Sequence, residues 1–124
     1  MELEHFALNV KDPRAMTQWY VENLGMRIAR SVDEPPYTTF LTPTGGGSMI
    51  ELYANPAGEM VEYGSMHALA FHMAFATTNM KHERSRLIAA GASADNDIMV
   101  NPSGYQLAIL RDPWGTAIQL VQRP

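Results

Sequence analysis

The chain has 124 residues, of which 46% are hydrophobic and 18% charged, and its formal net charge is −4. This length and composition predict one soluble globular domain, and the absence of a Lys or Arg run argues against nucleic-acid binding. No stretch approaches the roughly 18 apolar residues of a membrane helix, and the N-terminus starts directly in a strand pattern, so we expect a cytoplasmic protein. With no cysteine, any metal must be held by imidazole, carboxylate or amide oxygen.

The first half of the chain has a βαβββ pattern. The predicted elements are a strand at 3–10, a helix at 13–24 and strands near 26–32, 37–42 and 48–53. The helix is well marked, because Asp12 is a natural N-cap, Pro13 fits the first turn and Gly25 can adopt the left-handed conformation after the last turn.

The second half repeats this order after a turn-rich link at 55–66. The predicted elements are a strand at 68–76, a helix at about 79–90 that ends at Gly91, and strands near 94–99, 105–111 and 116–122. A half of about 60 residues would bury only a small core alone. We therefore expect a single domain of two βαβββ modules, with module one at 1–54 and module two at 67–124.

Four polar side chains lie within the predicted strands, in two pairs with nearly equal offsets. His5 and His72 are 67 residues apart, and Glu51 and Gln119 are 68 apart. Strand alternation places each of them on the face opposite the large apolar residues of its strand. Matched positions in a duplicated fold indicate a shared polar site.

These four residues are our candidate metal ligands. Two imidazoles, one carboxylate and one amide oxygen form a mixed set that suits Zn, Ni, Co, Mn or Fe(II) and leaves positions for water or substrate. A divalent ion there could chelate neighbouring oxygens of a substrate and stabilise a developing anion. The alternative is that they are ordinary polar residues on a solvated sheet face.

The sequence resembles the vicinal oxygen chelate superfamily, the glyoxalase/bleomycin resistance/extradiol dioxygenase group, over essentially its whole length. The likeness is carried by LEHFALNV at 3–10, WYVENLGM at 19–26, IEL at 50–52 and DPWGTAIQL at 112–120. It implies an α+β fold of tandem βαβββ modules that form a cupped, partly open mixed sheet with helices on the outer face. It also implies a metal held by His5, Glu51, His72 and Gln119.

Within this family the chain resembles small bacterial glyoxalase I, a lyase of isomerase type. Those enzymes usually carry a glutamate that serves as the base where this chain has Gln119, so the catalytic role falls to Glu51 or to a metal-bound water. They also tend to have an arginine for the glutathione carboxylate where this chain has Asn9, which makes glutathione a doubtful cosubstrate. Asn55 matches a family asparagine.

Met49 and Tyr53, with Asn9 and Asn55, are candidates for the substrate pocket. The predicted function is therefore a metal-dependent lyase or isomerase that acts on a small oxygenated molecule.

Three alternatives stay open. The first is a metal-free protein of the bleomycin-resistance kind, which sequesters an antibiotic or other small molecule. The second is an extradiol-type dioxygenase, although the carboxylate lies on an unusual strand. The third is a thiol transferase, which would need cations near the site, and the sequence does not direct Arg84 or Arg111 there. The resemblance also implies a homodimer whose sites are shared between chains.

Overall fold

The protein is described by a computed structural model of residues 1–124. The chain separates into two compact units, Met1–Val61 and Glu62–Pro124, which we call the first and second modules. Each module contains one α-helix and one open mixed sheet; the first has the predicted βαβββ order, and the second has one additional short strand. Neither helix is long and apolar enough to span a membrane.

The sheet of the first module has the order β1-β4-β3-β2. Its elements are β1 (His5–Asn9), α1 (Pro13–Leu24), β2 (Arg27–Ser31), β3 (Thr39–Thr42) and β4 (Met49–Tyr53). β1 and β4 are parallel, and the other neighbours are antiparallel. The parallel pair is possible because α1 carries the chain across one face of the sheet before β2 begins.

Helix α1 has the predicted bounds because both of its ends are set by local bonds. The Asp12 carboxylate accepts a hydrogen bond from Ala15 N at 3.0 Å, and Gly25 has the left-handed conformation with φ 66°. The fully buried helix residues Met16 and Tyr20 face the apolar side of the sheet. That side is formed by Leu8, Leu41, Ile50 and Leu52, all of which are buried.

The sheet of the second module has the order β5-β9-β8-β6, and β7 also pairs with β8. Its elements are β5 (Met73–Ala76), α2 (Met80–Ala89), β6 (Ser93–Ala94), β7 (Met99–Val100), β8 (Gln106–Arg111) and β9 (Ala117–Gln122). Helix α2 packs against β8 and β9. We call the face of each sheet opposite its helix the open face.

Two strand predictions in the second module are wrong in extent. The strand expected at 68–76 begins only at Met73, because residues 67–70 form a turn in which Ala70 N donates to His67 O at 2.8 Å. The strand expected at 94–99 is split in two. The Asn96 side chain accepts from Ile109 N at 2.8 Å and so replaces a backbone carbonyl in the ladder.

Candidate functional site

The first module brings His5 and Glu51 together on its open face. In the parallel β1–β4 pair, His5 aligns with Met49 and Ala7 aligns with Glu51, so both side chains point to the same side. His5 Nε2 lies 3.6 Å from Glu51 Oε2. The Glu51 side chain is only 16% exposed, whereas that of His5 is 37% exposed.

The second module places His72 and Gln119 in the equivalent arrangement. Ala74 aligns with Gln119 in the parallel β5–β9 pair. His72 precedes Ala74 by two residues, just as His5 precedes the residue aligned with Glu51. His72 lies immediately before β5 and not inside a strand, yet its position along the chain matches that of His5. The duplication seen in the sequence offsets therefore reappears in the strand register.

Both histidines use Nδ1 to bond an oxygen acceptor. His5 Nδ1 bonds the Glu4 carboxylate, and His72 Nδ1 lies 2.7 Å from Ala68 O. A carbonyl oxygen only accepts, so His72 carries its proton on Nδ1 and leaves the lone pair of Nε2 available. Metal-binding histidines almost always hold their second nitrogen in this way.

The charge state of His5 is set by its two carboxylate neighbours. The hydrogen bond to Glu4 raises the pKa of His5 above its ordinary value, and the negative charges of Glu4 and Glu51 raise it further, while desolvation acts in the opposite direction. Phe40 contacts the imidazole edge-on, with ring centroids 5.3 Å apart and an interplanar angle of 88°. The ring is thereby fixed in orientation and biased towards the protonated form when no metal competes.

The His5–Glu51 pair fits a divalent metal in chemistry and spacing. Two ligands on one ion with bonds of 2.0–2.2 Å lie about 2.9–3.6 Å apart, and the His5–Glu51 separation of 3.6 Å is at the upper end of that range. No group of three or more His, Cys, Asp or Glu side chains that could hold a metal ion occurs in the chain. The ligand set of His5, Glu51, His72 and Gln119 therefore stays a prediction.

The four predicted pocket residues divide into two groups. Met49 and Tyr53 alternate with the core residues of β4 and lie half-buried on the open face beside Glu51.

Asn9 and Asn55 instead hold a loop. Asn9 Nδ2 donates to Asn55 O at 2.9 Å and to Glu59 O at 3.1 Å, while Asn9 Oδ1 accepts from Asn55 N at 2.8 Å. Asn9 is 9% exposed and its amide is engaged by this loop, which gives it a structural role, and its place in the substrate pocket stays a prediction.

A segment at 63–68 lies against the second module's sheet near the candidate site. Tyr63 O accepts from Arg111 Nη1 at 3.3 Å, and Ala68 forms a buried cluster with Ile109 and Ala117. Because Ile109 aligns with Gln119, this cluster lies on the open face. Arg111 shares that face, but its guanidinium is engaged by Tyr63, Gly115 and Asp95.

Sequence reasoning did not find Glu4 or Phe40. Strand alternation would place Glu4 on the face opposite His5, but Glu4 precedes the first paired residue of β1, so its side chain is free to turn towards the imidazole. Phe40 aligns with Glu51 across β3 and β4. Only the antiparallel register reveals this neighbour, since nothing local links positions 40 and 51.

Comparison with known proteins agrees with the fold. Residues 2–120 match the model of the Glyoxalase/Bleomycin resistance protein/Dioxygenase superfamily. A lactoylglutathione lyase of Salmonella typhimurium is 27% identical over 128 residues, which cover 98% of this chain and 93% of that protein.

Among solved structures, an antibiotic-binding protein of Streptomyces, TnmS3, superimposes with a TM-score of 0.75 at 20% identity and covers 100% of this chain and 97% of its own. A Sphaerobacter thermophilus protein reaches a TM-score of 0.78 at 16% identity, with 99% and 98% covered. The chain belongs to the glyoxalase/bleomycin resistance protein/dioxygenase superfamily.

Proposed function

We propose that this protein is a glyoxalase-like, metal-dependent lyase or isomerase that acts on a small oxygenated substrate. The observation that carries the proposal is the pair of equivalently placed histidines, each with Nδ1 engaged and each two residues before the position that aligns with a second oxygen donor. A divalent ion, Zn, Ni, Co, Mn or Fe(II), held by His5, Glu51, His72 and Gln119 would supply Lewis acidity towards two neighbouring substrate oxygens. The similarity to a lactoylglutathione lyase supports this class of reaction.

The roles of the side chains follow from their chemistry. Glu51 is the only carboxylate among the four donors, so it is the residue that accepts a proton from the substrate. Gln119 is a neutral amide and contributes only its oxygen as a donor. Phe40 holds the imidazole plane of His5 by edge contact. Met49 and Tyr53 flank Glu51 along β4 and line the ligand side.

Glutathione is not part of the proposal. Related glyoxalase I enzymes tend to have an arginine for the glutathione carboxylate at the position that Asn9 occupies here. The Asn9 amide is hydrogen-bonded to the 55–59 loop. A neutral, fully hydrogen-bonded amide offers no charge-assisted clamp for a carboxylate. We therefore propose a substrate that is not held by an arginine–carboxylate contact at position 9.

The second candidate is a metal-free protein that sequesters a small molecule on the same face. Two observations favour it. Gln119 stands where glyoxalase I usually has a glutamate, so the four donors include one carboxylate fewer. The fold is also similar to that of a protein described as antibiotic-binding. An extradiol dioxygenase fits less well, because the single carboxylate lies on β4 of the first module and not on the last strand.

Metal content distinguishes the two candidates. Protein purified without chelator should contain about one divalent metal ion per chain. The His72→Ala variant should lose it and Glu51→Gln should bind it more weakly. His82→Ala is the matched control, since His82 is 66% exposed on α2 and should keep the metal. If the wild-type chain holds no metal even after divalent ions are added back, the sequestering function replaces the enzymatic one.

We further propose that the protein is a cytoplasmic homodimer in which two chains share each site. Mixing His5→Ala with His72→Ala chains should restore some metal binding, because a heterodimer would contain one intact set of donors. If the mixture binds no more metal than either variant alone, the sites are not shared.

A further inference from the structure

Strand β2 contains an irregularity that changes which side chains reach the open face. Ile28 aligns with Leu41, whereas the next aligned pair is Arg30 with Phe40, so Ala29 is an extra residue in the ladder. In a regular strand, residues three apart point to opposite faces. The bulge reverses the alternation, so that Arg27, opposite Thr42, and Arg30, opposite Phe40, share one face.

That face is the one that carries His5 and Glu51. Phe40 aligns with Arg30 on one side and with Glu51 on the other, so the three residues form a row across β2, β3 and β4. Two strand spacings separate the Cα atoms of Arg30 and Glu51 by about 10 Å. An arginine side chain spans much of this distance, so a ligand beside Glu51 would lie within reach of the guanidinium.

The two arginines are also the only ones in the chain without a partner. The chain has seven arginines and an excess of acidic over basic residues, 13 against 9. Five arginines contact a carboxylate or an aromatic ring: Arg14 with Asp33 and Tyr37, Arg84 with Asp97, Arg86 with Glu83, Arg111 with Asp95, and Arg123 with Tyr105. Arg27 and Arg30 make no ion pair, side-chain hydrogen bond or ring contact, and both are exposed.

We propose that Arg27 and Arg30 bind the oxyanion group, a carboxylate or phosphoryl group, of the small molecule that occupies the open face of the first module. Two guanidinium groups that lack protein acceptors match the paired oxygens of such a group, and charge-assisted bidentate bonds are the strong form of this contact. This deepens the proposed function, because it specifies that the ligand is an anion. It rests on the proposed function in one respect, namely that the ligand binds to the open face.

The test is an amide NMR titration with inorganic phosphate and, separately, with acetate, at constant ionic strength and without added metal. Shifts should be confined to β2, β3 and β4, and should saturate with at least one of the two anions. Arg27→Gln/Arg30→Gln should weaken binding about tenfold or more, and the Arg27→Lys/Arg30→Lys variant should lie between, because it keeps the charge and loses the fork geometry. A control that loses the same charge elsewhere, Lys81→Gln/Arg123→Gln, should bind like the wild type.

The inference is overturned if the double glutamine variant, with an otherwise unchanged amide spectrum, binds both anions as tightly as the wild type, or if neither anion shifts β2. Metal content is measured on the same samples. Wild-type protein that holds metal and ignores both anions refutes the arginine site alone. Protein that binds an anion through these arginines and never holds metal refutes the proposed catalysis alone.

Discussion

Replacement of Glu4 by glutamine tests whether this carboxylate prepares His5 for metal binding. Glu4 accepts a hydrogen bond from His5 Nδ1, which orients the ring and leaves Nε2 directed at the Glu51 side. Glutamine preserves size and an acceptor oxygen but removes the negative charge. The change therefore isolates the effect of the Glu4 charge. A carboxylate on the second nitrogen increases the basicity of the imidazole as a metal ligand.

The expected loss is about tenfold in metal affinity. Residues that hold the second nitrogen of a metal-binding histidine typically contribute 10–100-fold, and the low end applies because the Glu4 side chain is 64% exposed and screened by water. The effect should depend on pH. Glu4 raises the pKa of His5, so in acid the wild type holds a competing proton more firmly, and the difference between wild type and variant should shrink.

The assay is competition for Zn²⁺ against a chromogenic chelator at about pH 8 and about pH 6. Glu2→Gln is the matched control. Glu2 is an exposed carboxylate two residues before Glu4, and it makes no contact with His5. Equal affinity of Glu4→Gln and wild-type protein at the higher pH would refute the reasoning. So would an equal loss in Glu2→Gln, since it would show that net charge and not the Nδ1 bond is responsible.

Three further predictions concern stability. In metal-free protein the raised pKa of His5 favours its charged form in the fold, so its contribution is fully present below its unfolded pKa of about 6.5 and is lost as pH rises through the folded value. His5→Gln should therefore cost more unfolding free energy in urea at about pH 5.5 than at about pH 8.5. Asn9→Ala breaks three hydrogen bonds of a buried amide and should cost about 1.5–4 kcal/mol by urea unfolding; a loss near zero would contradict its structural role. Gly115→Ala should lower the melting temperature more than Gly46→Ala, because both have positive φ but only at Gly115 would the new Cβ lie 2.8 Å from Gly64 Cα.

Much of the local structure was readable from the sequence. The bounds of α1 were correct because an aspartate cap and a terminal glycine act within a few residues of the helix ends. The shared face of His5 and Glu51, and of His72 and Gln119, followed from strand alternation and from the repeat. These features depend on spacing along the chain, and spacing is fully present in the sequence.

Other features depended on contacts between distant residues. The Asn96 side chain interrupts the predicted strand at 94–99 by bonding Ile109. The Asn9 amide is occupied by a loop that follows β4. The bulge at Ala29 places Arg27 and Arg30 on one face, where alternation alone would separate them.

The sequence by itself therefore determined the order of the helices and of most strands in the two modules, because periodicity and local capping suffice for it. The tertiary structure alone decided which polar groups remain available to a ligand. Asn9 and Arg111 are hydrogen-bonded to backbone and side-chain partners, whereas the guanidinium groups of Arg27 and Arg30 have no such partner. The physical reason is that hydrogen-bond satisfaction is a property of groups brought together by folding, and no pattern along the chain records it.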